Sequence, residues 1–218
     1  MRQHGILWDN DGVLVDTERL FYQANRELFA EFGIELTPQH FFDWFLVENY
    51  GAWHLLSGQG VSDEQIRQLR AERNRRYSAR LHLENSLAIE HIAPVLAELA
   101  RQARMGIVTS ASRQHFDIIH AKHELLQHFE FVVAEEDYVE SKPSPEPYLL
   151  GLQKLGLPPE QCLVIEDSPR GLQAALAAGL RCLVIRSELT RGHQFAGAHQ
   201  VVDSVPELLM AIQDHWRS

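Results

Sequence analysis

Ile6-Leu7-Trp8-Asp9-Asn10-Asp11-Gly12 is a short apolar run that ends in two carboxylates and a glycine. The run reads as a strand, and the glycine lets the chain turn sharply directly after it. Open α/β sheets bind their ligands beyond the carboxyl ends of the strands, so a strand that stops in Asp9 and Asp11 points to a site there.

Downstream, other runs of strand type carry the same signature. They are Met105 to Thr109, Phe131 to Ala134, Cys162 to Glu166, Arg181 to Ile185 and a weaker Gln200 to Asp203. Between them lie amphipathic stretches near 90–102, 113–123, 145–155, 168–178 and 206–215. Strands alternating with helices predict an α/β fold, a doubly wound parallel sheet. Residues 17–88 break the alternation with helices alone. Thr37-Pro38 and the capping box Ser62-Asp63-Glu64-Gln65 start helices there, and Gly33 and Gly58 stop them. The expected organisation is a core of residues 1–16 and 89–218 interrupted by an all-helical insert, 17–88.

The 218 residues suit one core plus an insert. Against 20 Lys and Arg stand 30 Asp and Glu, a net charge of −10, which excludes broad nucleic-acid binding but not a small anionic substrate met by a local cation. No apolar run approaches the roughly 18 residues that suggest a membrane span, and Met1 to Gly5 leads to Asp9 without a signal-peptide core. A cytoplasmic protein with no membrane partner is expected, and nothing demands more than a monomer. In that compartment Cys162 and Cys182, each at an apolar run, read as buried free thiols.

The other strand ends are as polar as the first: Thr109-Ser110, and Glu166-Asp167-Ser168. Lys142 lies in the loop Ser141-Lys142-Pro143-Ser144-Pro145. Of Asp9 and Asp11, one can be a nucleophile and its neighbour a general acid and base. With Glu166 and Asp167 they form a group of carboxylates that repels itself unless a hard divalent cation binds, and Mg²⁺ suits oxygen donors. Lys142 adds a point charge, and Ser110 a donor for phosphoryl oxygens. Ser168-Pro169 reads as a helix N-cap with Pro at the first helical position.

Four motifs, Asp9 to Glu18, Val108-Thr109-Ser110, Ser141 to Tyr148 and Ile165 to Gly171, together resemble the haloacid dehalogenase superfamily, in its phosphohydrolases with a helical cap after the first strand. The nearest subgroup by motif is the β-phosphoglucomutase-like one. The resemblance implies that Asp9 attacks phosphorus and that Asp11 protonates the leaving oxygen and later activates water. Ser110 and Lys142 would hold the phosphoryl group. Mg²⁺ would be bound by Asp9, the backbone carbonyl of Asp11 and Asp167, with Glu166 as a further ligand, direct or through water. Asp11 speaks against the members of the superfamily that cleave carbon-halogen bonds, which do not need the second aspartate. The absence of any lysine before Lys122 speaks against the phosphonoacetaldehyde hydrolases, which need one in the cap.

Within the subgroup, Ser110-Ala111-Ser112-Arg113 is similar to the mutases' phosphate grip, so Gly12, Ser112 and Arg113 are expected beside substrate. The mutases' cap histidine, however, is replaced by Phe21. The expected activity is therefore a phosphatase acting on a small phosphorylated metabolite, a sugar or polyol phosphate. A phosphosugar mutase is the alternative, and a non-catalytic phosphate-binding protein a further one. From the insert, Asn49, Tyr50, Trp53 and His54 are expected to face substrate, while Phe41, Phe42, Trp44 and Phe45 build the insert's own core. The arginines Arg67, Arg70, Arg73, Arg75, Arg76 and Arg80 read as a solvated helix face, and His115, His120, His123 and His128 as surface histidines.

Overall fold

The computed structural model describes residues 4–217. They hold a six-stranded sheet of β1 His4–Trp8, β2 Ala103–Val108, β3 Phe131–Val133, β4 Cys162–Glu166, β5 Arg181–Ile185 and β6 Gln200–Val202, in the order β3-β2-β1-β4-β5-β6. Every neighbouring pair is parallel. The chain winds outward from β1 through β2 to β3, crosses back to β4 on the other flank of β1, and winds outward again. This doubly wound sheet reverses direction between β1 and β4, the position where such folds bind ligands. In register, Trp8 lies level with Ile107 of β2 and Ile165 of β4, so Asp9 emerges beside Val108 and Glu166.

The central strands are apolar on both faces because helices cover both. All five residues of β4 are buried, and Leu7, Val108, Val164 and Val184 share a core with Tyr148, Leu155, Leu172 and Ala175. The crossovers run through α5 Ile92–Leu99, α6 Arg113–His120, α7 Glu146–Leu155 and α8 Pro169–Ala177, and α9 Val205–Arg217 follows β6. Ser168 caps α8 as the sequence predicts, accepting from Gly171 N at 3.1 Å with Pro169 at the first helical position. Cys162 and Cys182 are buried free thiols.

The chain divides into two compact units, one taking in everything up to Asp16 and from Ser86 onward, the other Thr17–Asn85. The second unit has no strand among its described residues. It is built of α1 Glu18–Ala30, α2 Pro38–Phe41, a π-helical turn Phe42–Val47, α3 Trp53–Gly58 and α4 Asp63–Leu83. Thr37 caps α2 and the Ser62–Gln65 capping box opens α4. Phe41, Phe45 and Trp53 are buried, and Phe21 meets Phe41, Phe45 and Tyr77 edge-on.

The arginines of α4 depart in part from the solvated face expected of them. Arg67, Arg75, Arg76 and Arg80 pair with Glu64, Glu72, Glu31 and Glu27. Arg70 instead lies 4.8 Å over the Trp53 ring and Arg73 4.5 Å over Phe21, where the ring faces attract the guanidinium.

Candidate active site

The first strand delivers Asp9 to the reversal point, where Asp9 N donates to Ile165 O at 2.9 Å and ties the aspartate's backbone to β4. The turn that follows closes on the carbonyl of Asn10, which accepts from Leu14 N at 2.8 Å and Val15 N at 3.1 Å. Gly12 holds φ +78°, and a Cβ there would stand 2.0 Å from Asp167 Oδ2, so only glycine lets this loop approach the second acidic strand end.

Lys142 reaches the same point from the loop ahead of α7. It is 2 % exposed. Its ammonium donates to Asp9 Oδ1 at 2.6 Å, Glu166 Oε1 at 2.7 Å and the carbonyl of Val108 at 3.0 Å, one acceptor for each proton. A buried ammonium survives only with such partners. Burial opposes its charge, but Asp9 and Glu166 together hold its pKa above the usual lysine range.

Glu166 is the hub beneath. Its Oε1 accepts from Lys142 Nζ and from Tyr148 OH at 2.6 Å, and its Oε2 from Asp167 N, Ser168 N and Ser168 Oγ. Burial alone would push its pKa up; Lys142, Tyr148 and Ser168 outweigh that and hold it below the usual range. A Cβ on Gly171 would lie 1.9 Å from Glu166 Oε1, so α8 can start this close to the carboxylate only because that position is glycine. Asp9 answers differently: burial raises its carboxyl to about 7, with Glu166 and Asp11 adding to the rise and Lys142 opposing it.

At the end of β2, the Ser110 hydroxyl is buried and has no hydrogen-bond partner among the described residues. Thr109 Oγ1 donates to Asp11 Oδ2 at 3.3 Å, and Tyr138 OH braces the Thr109 carbonyl at 3.1 Å. Ser112 is the N-cap of α6, bonded to the His115 ring at 3.1 Å. Arg113 turns to Asp137, 2.7 Å away, while its backbone N–H is taken by Glu136. Ser112 thus already serves the start of that helix, and the Arg113 side chain is engaged outside it by Asp137.

In the helical unit, Asn49, with φ 60°, Tyr50 and His54 are exposed, and the Tyr50 and His54 rings meet edge-on at 5.1 Å. Trp53, expected to face substrate, is only 6 % exposed and packs on Phe29 within the unit's own core. The expectation of surface histidines also needs correction. His115 and His120 are buried, because α6 turns that face onto the core beside Phe116 and Ile119. Asn10 and Tyr148 lie inside two of the quoted motifs without having been given a role, and His120, which lies in none of them, carries no signal in sequence spacing.

Carboxylate oxygens of Asp9, Glu166 and Asp167 lie within 4.8 Å of one another and all three residues are buried. Hard oxygen donors gathered in this way fit a divalent cation. A doubly wound sheet that brings a buried aspartate, a buried lysine and this acidic group together at its reversal point defines an enzyme site for an anionic substrate. The model of the haloacid dehalogenase-like hydrolases matches residues 6–185, and the chain belongs to that family.

Its relatives include CbbY of Cereibacter sphaeroides, 34% identical over 93% of this chain and 93% of that one. A crystal structure of CbbY from Rhodobacter sphaeroides in complex with xylulose-(1,5)bisphosphate is 31% identical, with a TM-score of 0.72 over 95% of this chain and 96% of that one. β-Phosphoglucomutase from Clostridium difficile shares the fold at a TM-score of 0.83, with 21% identity over 100% and 98% of the two chains. No helix among the described residues is long and apolar enough to cross a membrane.

Proposed function

We propose that this chain, a phosphatase of the haloacid dehalogenase-like hydrolases, releases phosphate from a small phosphorylated sugar or polyol and works with Mg²⁺. The observation that carries the reading is the 2.6 Å bond from buried Lys142 to Asp9 at the reversal point of the sheet. Asp9 attacks phosphorus while Asp11 hands its proton to the departing oxygen. Asp11 then takes a proton from the water that attacks the aspartyl-phosphate, which frees phosphate and restores Asp9. Lys142 and the buried Ser110 hydroxyl hold the phosphoryl oxygens. Asp9, Asp167 and the backbone carbonyl of Asp11 hold Mg²⁺, with Glu166 behind them. When bound, the ion neutralises carboxylates and phosphoryl oxygens together. The helical insert, Thr17–Asn85, acts as the cap that selects the leaving group.

A sugar bisphosphate bound to the related CbbY supports a phosphorylated sugar as substrate. A phosphatase is favoured over a mutase because Phe21 stands among aromatic rings and Arg113 is engaged by Asp137. The test is phosphate release from a panel of phosphorylated sugars, polyols and nucleotides with Mg²⁺, run beside Asp9→Asn and beside the conversion of β-glucose 1-phosphate to glucose 6-phosphate. Release that requires both Mg²⁺ and Asp9 is expected. Isomerisation without release would replace the phosphatase by a mutase, and silence in both assays would leave a binding protein.

A further inference from the structure

Tyr138 follows the exposed Glu135, Glu136 and Asp137, yet its own ring turns inward and packs on the core that holds Val108 and Val133. A phenol buried in this way places its one polar atom where it finds a partner. The Tyr138 hydroxyl donates at 3.1 Å to the backbone carbonyl of Thr109, the residue directly after β2.

That carbonyl belongs to the peptide that joins Thr109 to Ser110. The peptide unit is planar, so a bond to its oxygen fixes the plane from which Ser110 starts. The rest of the segment is held as firmly. Thr109 N donates to Val133 O at 2.9 Å, Thr109 Oγ1 accepts from Ala111 N at 2.9 Å, and Ala111 O accepts from Glu135 N at 3.2 Å. Within this bonded segment the Ser110 hydroxyl is the exception. It is buried and has no hydrogen-bond partner among the described residues, and a buried hydroxyl left in that state costs free energy. Ties on either side, at Thr109 and at Ala111, hold an unspent donor in one place.

The phenol leaves that donor free. Tyr138 has a single proton, and the Thr109 carbonyl receives it. Burial raises the phenol's pKa against the opposing pull of Ser110 and Lys142, so the hydroxyl keeps its proton. Ser110 is thus near enough to act on the phenol, without the alignment of a hydrogen bond to it.

We propose that Tyr138 is a positioning residue, whose bond to the Thr109 carbonyl fixes the backbone of Ser110 so that the Ser110 hydroxyl stands ready to donate to a phosphoryl oxygen. This deepens the phosphatase reading and rests on it, since the oxygen that Ser110 meets is the phosphoryl group's. A donor set in place beforehand needs no reorganisation at the moment of reaction, which is where its kinetic weight lies. Tyr138 acts only through Ser110.

A double-mutant cycle tests that dependence. The proteins are the wild type, Tyr138→Phe, Ser110→Ala and the double Tyr138→Phe/Ser110→Ala, and the readouts are kcat/KM for the best substrate of the panel and the inhibition constant of inorganic phosphate. Phenylalanine keeps the ring in the core and removes only the donor. Circular dichroism with thermal unfolding confirms folding.

Ser110→Ala is expected to lower kcat/KM about 10²-fold, the usual effect of one lost oxyanion donor, and Tyr138→Phe about tenfold. In the Ser110→Ala background the loss from Tyr138→Phe should shrink to less than about twofold, because the donor it positions is gone. The inhibition constant of phosphate should rise in Tyr138→Phe and rise no further from Ser110→Ala to the double variant. Equal losses from Tyr138→Phe in both backgrounds would show a bond that only supports the fold, and a fully active Tyr138→Phe would show that Ser110 needs no such support. Either result overturns the positioning role while a weakened Ser110→Ala keeps the reading of Ser110 intact. Wild-type activity in Ser110→Ala would overturn that reading and the role of Tyr138 with it.

Discussion

Lys142 and Asp9 are 133 residues apart in the chain, and their side chains meet at 2.6 Å inside the protein. The pair is completed by Glu166, which binds the same ammonium at 2.7 Å. Removing the lysine leaves two buried carboxylates facing each other with no cation between them. Lys142→Met is therefore expected to cost about 3–5 kcal/mol of stability, the usual effect of breaking a buried ion pair, and about 10²-fold or more in turnover. Urea unfolding and phosphate release measure the two losses, and a wild-type midpoint would show that the pair holds nothing together.

Asp9→Asn separates the chemistry from the fold. Asparagine keeps the shape and still offers Oδ1 to Lys142, and it removes a carboxyl whose burial has raised it to about 7. The expected outcome is a loss of turnover of at least about a thousandfold, as for other lost nucleophiles. In EDTA its urea midpoint should equal or exceed that of the wild type. Residual turnover near the wild-type rate would remove Asp9 from the role of nucleophile.

Metal removal tests the carboxylate group directly. Phosphate release is expected to fall to background in EDTA and to return with Mg²⁺. Mg²⁺ should also raise the thermal midpoint of the wild type, since a ligand that binds only the folded state stabilises it. Asp167→Asn should respond less, because one of the three buried carboxylates is gone. Full activity in EDTA would end the metal assignment.

The strands were legible where both faces are buried: the apolar runs Cys162 to Glu166 and Arg181 to Ile185 coincide with β4 and β5. Helix ends were harder to read. The stretch 113–123 becomes a helix that stops at His120, and His123 instead accepts a hydrogen bond from Leu87 N at 3.1 Å, a tertiary contact that periodicity does not carry. At the site, Asp9 and Asp167 stand out because they directly follow buried apolar strands, and Lys142 because lysines are few in this chain. Asn10 and His120 do not, since a polar side chain looks the same in sequence whether water or another residue 110 positions away satisfies it. Trp53 misled for the opposite reason: an aromatic near exposed polar neighbours fits a binding face and a small core equally well.

Tyr148 offers a graded test of the hub. Its hydroxyl donates to Glu166 Oε1 at 2.6 Å in a fully buried setting, and its ring lies 4.7 Å from Lys142 Nζ. Tyr148→Phe keeps the ring and removes one of the five donors to Glu166. A hydrogen bond to a buried charge is worth about 1.5–3 kcal/mol, so urea unfolding should show a loss of that size. Turnover should fall far less than in Lys142→Met, because the ammonium keeps all three acceptors. A turnover loss equal to that of Lys142→Met would mean that Tyr148 acts on the phosphoryl group itself.

Acid stability depends on His120. Its pKa is lowered from 6.5 to about 4, by burial first and by His123 second. Between those two pH values the unfolded chain binds the proton and the folded one does not, so stability is full above pH 6.5 and falls as pH drops towards 4. At 1.36 kcal/mol per pH unit the loss is about 3 kcal/mol at most. In the same interval protonation would force a buried Nδ1–H with no acceptor among the described residues, which adds to the ring's resistance to it. His120→Gln does not titrate, so its urea midpoint should fall less than that of the wild type between pH 6.5 and pH 4. Parallel curves for the two proteins would show that His120 is not the group that resists protonation.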